Sequence, residues 1–343
     1  MLLSTIIVTY NTREMTLDCL RSLLADTQNL EHEIFIVDNA STDGTLDAIR
    51  KEFPHVHLIA NTDNKGFGAA NNQAMRIATG KYFLLLNSDA FPRAGAIPTL
   101  IKELESQPNV ALIGPKLLNP DGSMQLSCFK FPSPARAWIE NTWLSALCSR
   151  NQFLGDYRNW PHNSARHVDW LIGACMLLRR EVFEKIGGFD ERFFMYAEES
   201  DWQLRMKKAG YRIAFTPAAQ VMHLAGASTD PSKPKKEKSL INEHFFHSLD
   251  LYTLKHHGNG GLFLLRSAMV TGTLLRFPLY LAALLSPKLR PKAKKKLELH
   301  RWLLKRQLTT PAPRPKGEDQ TPTSTVGPIQ ETPNTPSRPV SSF

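Results

Sequence analysis

The N-terminal part of the chain alternates short apolar runs with amphipathic stretches. Four apolar runs end in polar residues and predict buried strands: residues 4–11, 32–41, 56–62 and 82–89. Between them, helical spacing of apolar residues predicts three helices: residues 12–27, 41–53 and 66–80. Thr42 or Asp43 is the expected cap of the second helix, and Gly80 the stop of the third. This alternation predicts an α/β fold of Rossmann-like βαβ units, with a mostly parallel sheet and flanking helices.

The middle of the chain has a less regular pattern. Residues 96–108 predict a helix, and residues 110–123 predict a strand followed by a hairpin-like turn. Residues 128–166 are aromatic and proline-rich without a clear period, so we expect an inserted loop region. Order returns in residues 168–226, which predict a strand, a helix closed by two glycines, a second helix from about residue 198, and strands up to His223.

The C-terminal part begins with a strongly apolar segment, residues 261–285. Arg266, Arg276 and Pro278 interrupt it, so no uncharged stretch reaches the roughly 18 residues of a spanning helix. The segment suits one or two helices that lie in a lipid headgroup layer. A buried helical pair, followed by a solvated basic helix, is the alternative. We expect three regions: residues 1–228, a basic helical region at 229–308, and a disordered tail rich in Pro, Thr and Ser at 309–343.

Charge favours a membrane partner for this C-terminal part. The formal net charge is +10, and the excess is concentrated in residues 233–238 and 288–306. A basic cluster directly after an apolar segment favours an anionic membrane surface over nucleic acid. The four cysteines, Cys19, Cys128, Cys148 and Cys175, form no metal-binding pair and indicate a reducing compartment. The N-terminus lacks the features of a signal peptide, so we expect a cytoplasmic protein.

Polar residues follow all four predicted strands at their carboxyl ends. In open α/β sheets this edge is where ligands bind. The residues expected to face one crevice are Thr9, Asn11, Asp38, Asn39, Asn61 and Asp89. Capping of helices and formation of turns would explain any one of them alone.

Asp89 is the first candidate for chemistry. A carboxylate at the end of a buried strand can hold Mg²⁺, which completes its coordination with phosphates and water. Asn87 can contact a ribose or a phosphate but cannot neutralise a metal ion. A turn before Pro92 is the alternative explanation of the Asn-x-Asp step. His223, at the end of an apolar strand, could complete the metal's coordination, although such a histidine is more often structural.

Three carboxylates crowd the predicted first turn of the helix near residue 198: Glu198, Glu199 and Asp201. The helix dipole stabilises acidic residues there, and Asp201 has the spacing of an ion pair with Arg205. Three carboxylates nonetheless exceed what capping requires. A carboxylate beside others has a raised proton affinity and suits a general base. The aromatic neighbours indicate a partly enclosed site: Phe193, Phe194, Tyr196 and Trp202.

The glycine-rich stretch at residues 64–72 has part of a dinucleotide-binding fingerprint. Gly66 and Gly68 precede a helix, but Asn71 replaces the third glycine and the stretch follows the third strand. A dehydrogenase is therefore disfavoured. A tight loop that brings Lys65 near a phosphate fits better.

Six stretches, in order over residues 4–228, resemble family 2 glycosyltransferases, and specifically their rhamnosyltransferase-like branch. Members of this family have the GT-A fold and invert the configuration of the transferred sugar. They are VTYN (8–11), VDNASTDGT (37–45), NKGFGAANN (64–72), LLLNSDA (84–90), the segment 172–210, and VMHLAGAS (221–228). The resemblance leaves out the C-terminal tail and covers residues 128–166 only loosely.

The resemblance implies roles for the site residues. The nucleotide pocket would be lined by Thr9, Tyr10 and Asn11, with Asp38 on the base and with Lys65 and Asn72 near the ribose and diphosphate. Asp89 would bind Mg²⁺ or Mn²⁺. Asn87 stands where the family's first metal-motif aspartate is usual, so His223 gains weight as a ligand. Glu199 would be the general base, and Asp201 would orient the base or the acceptor. Other expected substrate contacts are Asn39, Gly66, Ser88, Glu198 and Trp202.

The expected reaction is transfer of a sugar from a nucleotide-diphosphate donor, dTDP-rhamnose or a UDP-sugar, to a glycan or polyprenyl-linked acceptor. The enzyme would act at the inner face of the cell membrane in bacterial polysaccharide synthesis. The sequence leaves two alternative functions open. One is a catalytically silent binding protein with the same fold, and the other is a nucleotidyltransferase. The latter is disfavoured because no glycine-rich basic loop follows the first strand.

Overall fold

The computed structural model describes residues 1–142, 157, 160–224 and 235–313. The remaining residues include most of the predicted tail at 309–343, the first part of the basic stretch at 233–238 and the end of the last motif, VMHLAGAS. Those expectations lie outside the described residues and stay predictions.

Four parallel strands form the N-terminal half of the sheet. They are β1 (Leu3–Thr9), β2 (His32–Asp38), β3 (His57–Ala60) and β4 (Tyr82–Asn87). β1 is central and pairs with β2 and β4, while β3 extends the sheet beyond β2. Each strand ends at or directly before the polar residues that were predicted at its carboxyl end. The four predicted strands are therefore confirmed, and their carboxyl ends share one edge.

Helices cover both faces of this sheet. The helices between the strands are α1 (Arg13–Thr27), α2 (Thr45–Glu52), α3 (Phe67–Met75) and α4 (Ala96–Glu105). Alternate residues of β1 point to opposite faces, so Leu3 and Ile7 pack with Leu20 of α1, whereas Ile6 packs with Ala70 of α3. This period of two gives the three-layer α/β architecture, and the predicted fold class is confirmed.

Two predicted helix boundaries are wrong. Helix α2 is preceded by Gly44 at φ +80°, and the Asp43 side chain bonds the Thr45 amide without acting as the helix N-cap. Helix α3 ends before Gly80. Gly80 lies against β1, where its amide donates to Ser4 Oγ at 2.8 Å and a Cβ atom would collide with the same oxygen. Gly80 thus serves close packing against a strand, a role that resembles a helix stop in sequence.

The C-terminal half of the sheet is mixed. Its strands are β5 (Ala90–Pro92), β6 (Val110–Leu118), β7 (Met124–Gln125), β9 (Arg166–Val168), β11 (Cys175–Arg179) and β12 (Arg212–His223), while β8 (Cys128–Phe129) and β10 (Trp170–Leu171) form a separate pair. The order is β3-β2-β1-β4-β11-β6-β12-β5, with β11 antiparallel to both neighbours and β12 parallel to β6. Antiparallel β11 joins the two halves.

Three further helices lie between the strands of this second half of the sheet. They are α5 (Pro134–Asn141), α6 (Arg180–Ile186) and α7 (Glu198–Lys208). Helix α7 begins at the predicted acidic residue. Helix α5 lies in the region expected to be an inserted loop, so part of that region is helical.

Two long helices follow the sheet. Helix α8 (Lys235–Ala283) kinks at Gly258, where φ is +67°, and α9 (Arg290–Thr309) packs against it. The predicted apolar segment lies in the second arm of α8. Within the described part of the chain, one stretch, Glu243–Ala283, is long and apolar enough to cross a membrane, judged by length and composition alone. Contact with a membrane stays a prediction.

Candidate active site

The tips of β1 and β4 are joined by a chain of hydroxyl groups. Thr9 Oγ1 lies 2.9 Å from Thr12 Oγ1, which lies 3.1 Å from Ser88 Oγ. Thr9 is fully buried, and Ser88 is nearly so. The hydroxyl chain fixes the two strand ends relative to each other, so that Asp89 has a defined position beside the first strand.

Asp38 and Asn39 occupy the end of β2. One oxygen of Asp38 accepts a hydrogen bond from the Ser41 amide at 2.9 Å, while Oδ1 is buried and has no hydrogen-bond partner among the described residues. An unpartnered buried acceptor is costly and fits a ligand that supplies a donor. Asn39 donates to the Gly66 carbonyl at 3.3 Å and accepts from Asn61 at 3.0 Å. Asn39 therefore holds the glycine-rich loop beside β2.

The other expected nucleotide contacts lie at the surface of this crevice. Tyr10 is 50% exposed, and the Lys65 side chain is 42% exposed with Nζ 2.6 Å from Asp63. Asn11 has a left-handed backbone at φ +52°, and its side-chain oxygen accepts from the Thr42 amide at 2.7 Å. The exposed positions of Tyr10 and Lys65 leave both side chains accessible to a ligand.

The two predicted metal ligands are neighbours. His223 pairs with Ala90 across β12 and β5, and its Nε2 lies 3.2 Å from Asp89 Oδ1. Asn87 Nδ2 lies 3.4 Å from the same imidazole nitrogen. The side chains of Asp89 and His223 retain only 13% and 7% exposure. Asp89 and His223 are far apart in the sequence, and the pairing of β5 with β12 brings them together.

Gln125, a residue that the sequence did not single out, fixes the imidazole of His223. Its Oε1 lies 2.7 Å from Nδ1, and its Nε2 donates to Asn119 Oδ1 and to the His223 carbonyl. Nδ1 therefore carries a hydrogen, and in the neutral imidazole the Nε2 lone pair faces the Asp89 carboxylate. Nε2 and the Asp89 carboxylate could therefore serve as two ligands of one cation.

The donor set fits a divalent cation that completes its coordination with phosphate and water oxygens. The buried hydrogen bond at Nδ1 is typical of a metal-binding histidine. Among the described residues, no group of three or more His, Cys, Asp or Glu side chains could hold a metal ion. At this position Asp89 and His223 are the two side chains that could bind a metal ion, and Asn87 stands beside them as a neutral amide.

The acidic turn, defined as Tyr196–Asp201, has a strained backbone at its start. Tyr196 and Ala197 are consecutive left-handed residues, with φ of +69° and +65°, and α7 begins directly after them. Such conformations cost about 1–3 kcal/mol each and persist only where the surroundings impose them. This backbone conformation turns the chain so that Glu198 and Glu199 lie towards the interior at the N-terminus of α7.

Both glutamates have raised pKa values. Glu198 is buried, and burial together with the charge of Glu199 raises its pKa well above the usual value. Burial also raises the pKa of half-buried Glu199, and a hydrogen bond from the Gly173 backbone opposes the rise. One carboxylate oxygen of each residue is buried without a partner among the described residues. The two glutamates therefore have hydrogen-bonding capacity that no described residue uses.

Glu199 reaches the tip of β4 through one short segment. A Cβ atom at Gly173 would stand 3.7 Å from Glu199 Oε1, and the next residue, Ala174, accepts from the Asn87 amide at 2.9 Å. Asn87 in turn contacts His223. A chain of contacts therefore leads from Glu199 through Gly173 and Ala174 to Asn87 and His223.

Gly66 links the glycine-rich loop to the chain before the acidic turn. Its φ is +83°, and a Cβ atom there would collide with the Phe194 carbonyl oxygen. The Phe67 amide donates to that same oxygen at 3.3 Å. Only glycine permits this approach, so the expected substrate contact at Gly66 also has a structural reason.

Three predicted site residues have their polar groups engaged within the protein. Asn72 exchanges both amide bonds with the Phe189 backbone, and Trp202 is fully buried with its indole nitrogen donating to the Gly187 carbonyl. Asp201 is fully buried in ion pairs. Packing accounts for all three positions, and their predicted contacts with substrate or base stay predictions.

Asp201 joins the acidic turn to helix α8. Lys255 Nζ and His256 Nε2 lie 2.7 and 2.8 Å from its Oδ1, and Arg205 Nε lies 3.0 Å from Oδ2. Burial alone would raise the pKa of Asp201, but the His256 hydrogen bond and the Lys255 and Arg205 charges lower it below the usual value. Sequence reasoning found the Arg205 spacing but missed the two partners on α8.

Further contacts extend this support along the turn. Ser248 Oγ donates to the Met195 carbonyl at 2.8 Å, and Phe193 forms a small buried cluster with Leu251 and Tyr252. The first arm of α8 therefore backs the whole segment that carries the glutamates.

Comparison with known proteins places this geometry in a family. The model of the family named Glycosyl transferase family 2 matches residues 4–187, more than half of the chain. A second model, described as the N-terminal domain of galactosyltransferase, matches residues 161–225, which include the acidic turn and His223.

Named relatives agree with the family match. The N-acetylglucosaminyl-diphospho-decaprenol L-rhamnosyltransferase of Mycobacterium tuberculosis is 34% identical over 213 residues, which cover 58% of this chain and 69% of the relative. The rhamnosyltransferase WbbL of Escherichia coli is 31% identical over 170 residues, 47% of this chain and 61% of the relative. A mannosyltransferase structure from Pyrobaculum calidifontis, in complex with GDP-Man and Mn²⁺, aligns with 90% of this chain and 87% of its own at 18% identity and a TM-score of 0.49. The chain belongs to glycosyl transferase family 2, and it is a glycosyltransferase.

Proposed function

We propose that the enzyme transfers a sugar from a nucleotide-diphosphate donor to an acceptor hydroxyl, with inversion at the anomeric carbon. The observation that carries this proposal is the short chain of contacts that leads from Glu199 to Asn87 and on to the Asp89–His223 pair. A proton acceptor near two side chains that could bind a metal ion suits the displacement of a diphosphate.

The nucleotide would lie along the ends of β1 and β2. The unpartnered Oδ1 of Asp38 supports recognition of a base that offers a ring N–H, such as uracil or thymine. Tyr10 is exposed for stacking, and Lys65 can exchange its exposed ion pair with Asp63 for a phosphate. The pocket would also be lined by three neutral side chains, those of Asn11, Asn39 and Ser88.

Asp89 and His223 would hold Mg²⁺ or Mn²⁺. The ion would supply positive charge to the leaving diphosphate. Gln125 keeps the imidazole in the tautomer whose Nε2 is available, and Asn87 lies beside it as a neutral donor. Support for this assignment comes from the chemistry of the two ligands and from their 3.2 Å separation.

Glu199 would act as the general base. Its carboxylate takes the proton of the acceptor hydroxyl as that oxygen forms a bond to the anomeric carbon. The bond between the anomeric carbon and the diphosphate oxygen breaks, and its electron pair leaves with the nucleoside diphosphate. Burial and the charge of Glu199 raise the pKa of Glu198, which favours the protonated form of this carboxyl.

The names of the relatives favour rhamnose as the sugar and a lipid-linked glycan as the acceptor, in bacterial polysaccharide synthesis. Helix α8, with its exposed apolar side chains, supports an enzyme that works at the inner, anionic face of the cell membrane. A donor that carries rhamnose on dTDP is the first choice, and a UDP-sugar the second.

A screen of nucleotide sugars tests the proposal. The purified chain is heated with each donor, with Mn²⁺ or with EDTA, and the midpoint of unfolding is measured. A bound donor raises the midpoint by mass action, so dTDP-rhamnose should stabilise the protein only when Mn²⁺ is present. Release of dTDP with a lipid-linked acceptor then reports transfer. Stabilisation by no nucleotide sugar, together with no release, would refute the proposal.

A further inference from the structure

A cavity of about 510 Å³ lies between the second arm of α8 and the C-terminal part of α9, and we call it the α8–α9 cavity. Its size lies within the range of small-ligand sites, about 300–1,000 Å³. The α8 residues that line it, from Asn259 to Thr271, recur with the spacing of one helix face. Of the described residues that line the cavity, none belongs to the candidate active site, so the transfer reaction does not explain it.

Two arginines share one buried carboxylate at this cavity. Asp250 Oδ2 lies 2.7 Å from Arg266 Nη2 and 3.1 Å from Arg306 Nη1. The side chains of Asp250 and Arg306 are only 1% and 5% exposed, and Arg266, which lines the cavity, is 16% exposed. Among the described residues, no second carboxylate lies within 4.0 Å of either guanidinium. The cluster therefore carries one positive charge in excess, largely out of contact with water.

The other described contacts of the two arginines are with neutral groups. Arg266 donates to the carbonyls of Thr310 and Pro311 at 2.7 and 3.4 Å, and the Phe246 ring lies 5.4 Å from the Arg306 guanidinium. The Nε atom of each arginine is buried and has no hydrogen-bond partner in the described part of the chain. An excess charge in a poorly solvated place is costly, so the cavity favours an anion beside Arg266. Guanidinium groups bind phosphate oxygens especially well.

The cavity also offers neutral polar groups. Asn259, Ser267 and Thr271 line it on α8, and Gln307 lines it on α9. Gln307 is buried, and its amide nitrogen lies 3.1 Å from Met269 Sδ, whereas its Oε1 has no partner among the described residues. An amide oxygen accepts a hydrogen bond, so this wall suits a ligand that carries a hydroxyl as well as an anion.

Two exposed apolar side chains border the same cavity from opposite helices. Phe263 of α8 is 71% exposed, and Leu308 of α9 is 68% exposed. A small anion such as free phosphate would leave both side chains in water, whereas the hydrocarbon part of an amphiphile would cover them. The polar interior and the apolar border together fit a lipid whose headgroup enters the cavity.

The charge of α9 favours an anionic membrane as the source of that lipid. The helix contains eight lysines and arginines and a single acid, Glu298. Such a segment is attracted to a surface of anionic lipids. The second arm of α8 belongs to the one stretch of the described chain that is long and apolar enough to enter a membrane.

We propose that the α8–α9 cavity binds the headgroup of an anionic membrane phospholipid, with the phosphate beside Arg266 and the acyl chains against Phe263 and Leu308. This inference rests on the membrane attachment in the proposed function, to which it adds a binding site and a lipid class. It assigns no role to the cavity in binding the sugar donor or the acceptor.

A water-soluble lipid tests the cavity directly. Dihexanoyl phosphatidylglycerol is the probe, below the concentration at which it forms micelles, and glycerol 3-phosphate and dihexanoylglycerol supply its phosphate and its chains separately. Binding to the full chain is measured by titration calorimetry in EDTA, which excludes a metal-bridged contact at Asp89. The lipid should bind at least about tenfold more tightly than either half. Equal affinity for glycerol 3-phosphate would overturn the assignment of a lipid.

Filling the cavity should block this binding. Ser267→Trp places a large ring among the lining residues, and Leu274→Trp is the matched control, at an exposed position of α8 that does not line the cavity. Both variants add the same ring, which itself favours membrane interfaces. Ser267→Trp should weaken binding of the soluble lipid about tenfold or more, and Leu274→Trp should leave it unchanged. Equal binding by the two variants, with both folded, would refute the site.

Removing the excess charge gives a second, independent variant. Arg266→Gln leaves Asp250 paired with Arg306, so one buried ion pair remains. Arg301→Gln, at an exposed position of α9, lowers the net charge equally and serves as the control. Arg266→Gln should weaken binding of the soluble lipid about tenfold or more, whereas the control should bind it normally. Unchanged affinity of a folded Arg266→Gln would contradict the role of this guanidinium.

Vesicles separate this inference from the proposed function. The full chain should sediment with vesicles of phosphatidylglycerol mixed with phosphatidylcholine more than with phosphatidylcholine alone, and Ser267→Trp should lose part of that difference. Equal sedimentation of Ser267→Trp and Leu274→Trp would refute the cavity but leave membrane attachment intact. Sedimentation of the unmodified chain with neither vesicle would refute both. A lipid-dependent difference between the variants, without sugar transfer by any of them, would support the cavity and count against the proposed reaction.

Discussion

Nε2 of His256 lies 2.8 Å from Oδ1 of Asp201, and this contact ties helix α8 to the turn that carries the proposed base. Asp201 is fully buried, so its charge depends on the three basic partners around it. Removing one member of a buried charge network leaves the others uncompensated in a medium that solvates them poorly.

Asp201→Asn should therefore destabilise the protein although it preserves the shape of the side chain. We expect a loss of about 3–5 kcal/mol in the free energy of unfolding. Asp18→Asn is the matched control, because Asp18 pairs with Arg21 at the surface and is 59% exposed. The control should change stability by less than about 1 kcal/mol. Denaturant midpoints of the three proteins provide the measurement, and equal midpoints would contradict the buried network.

Glu199→Gln should abolish most turnover while donor binding persists. The amide keeps the size of the side chain but cannot take a proton, and loss of a general base costs about 10²–10⁴-fold in rate. Exposed Glu181→Gln on α6 is the control. Because burial raises the pKa of Glu199, kcat/KM of the unmodified enzyme should rise with pH to an apparent pKa above 4.5. Near-full activity of Glu199→Gln would exclude Glu199 as the base.

Glu198→Gln should behave differently from Glu199→Gln. The folded state raises the pKa of Glu198, so it binds this proton more tightly than the unfolded chain does. Stability must then fall as pH rises from about 4.5 towards the folded-state pKa. Glutamine has no titrating carboxyl, so the stability of Glu198→Gln should fall less as the pH rises over this range. Denaturant midpoints between about pH 5 and about pH 8 measure the slope. A slope equal to that of the unmodified protein would mean that Glu198 is ionised.

Asp89→Ala should uncouple nucleotide binding from the metal ion. The remaining imidazole cannot neutralise a divalent cation, so addition of Mn²⁺ should no longer tighten binding of dTDP. Asp47→Ala, at a position 87% exposed on α2, is the control and should keep the metal dependence. Titration of dTDP with Mn²⁺ and with EDTA gives both affinities. A preserved difference between them in Asp89→Ala would remove the metal role of this carboxylate.

Gly66→Ala should disturb the site more than Gly95→Ala. Both glycines have positive φ, +83° and +78°, so alanine has the same backbone penalty at each position, about 1 kcal/mol. Only at Gly66 does the new methyl group collide with a backbone atom, the Phe194 carbonyl oxygen. Gly66→Ala should lose both stability and transfer activity, whereas Gly95→Ala loses a little stability alone. Equal effects on activity would show that the loop tolerates displacement.

The sequence was sufficient for the elements whose pattern is local. Four apolar runs with polar ends predicted β1 to β4, and the carboxylate of Asp89 and the imidazole of His223 were found because both follow apolar strands. Gln125 was missed because it lies 98 residues from His223 in an irregular stretch, and only the pairing of β6 with β7 brings it there.

Motif strings also mix chemical and packing residues. Asn72 and Trp202 stand in motif segments, yet the hydrogen bonds of both side chains go to residues between Gly187 and Glu191. A linear pattern does not tell which face of a helix meets the core and which meets the crevice. The basic partners of Asp201 were missed for a related reason, since they lie in a helix that composition assigned to a membrane surface.

The consecutive left-handed residues Tyr196 and Ala197 have a practical consequence for anyone who shortens the protein. A fragment that stops at residue 228 keeps every family motif, yet it lacks Ser248, Lys255 and His256, the groups that hold the strained turn in place. Such a truncation should relax towards ordinary helical geometry near Glu199. The truncated protein would keep its nucleotide pocket, but Glu199 would no longer be held in position to act on the acceptor.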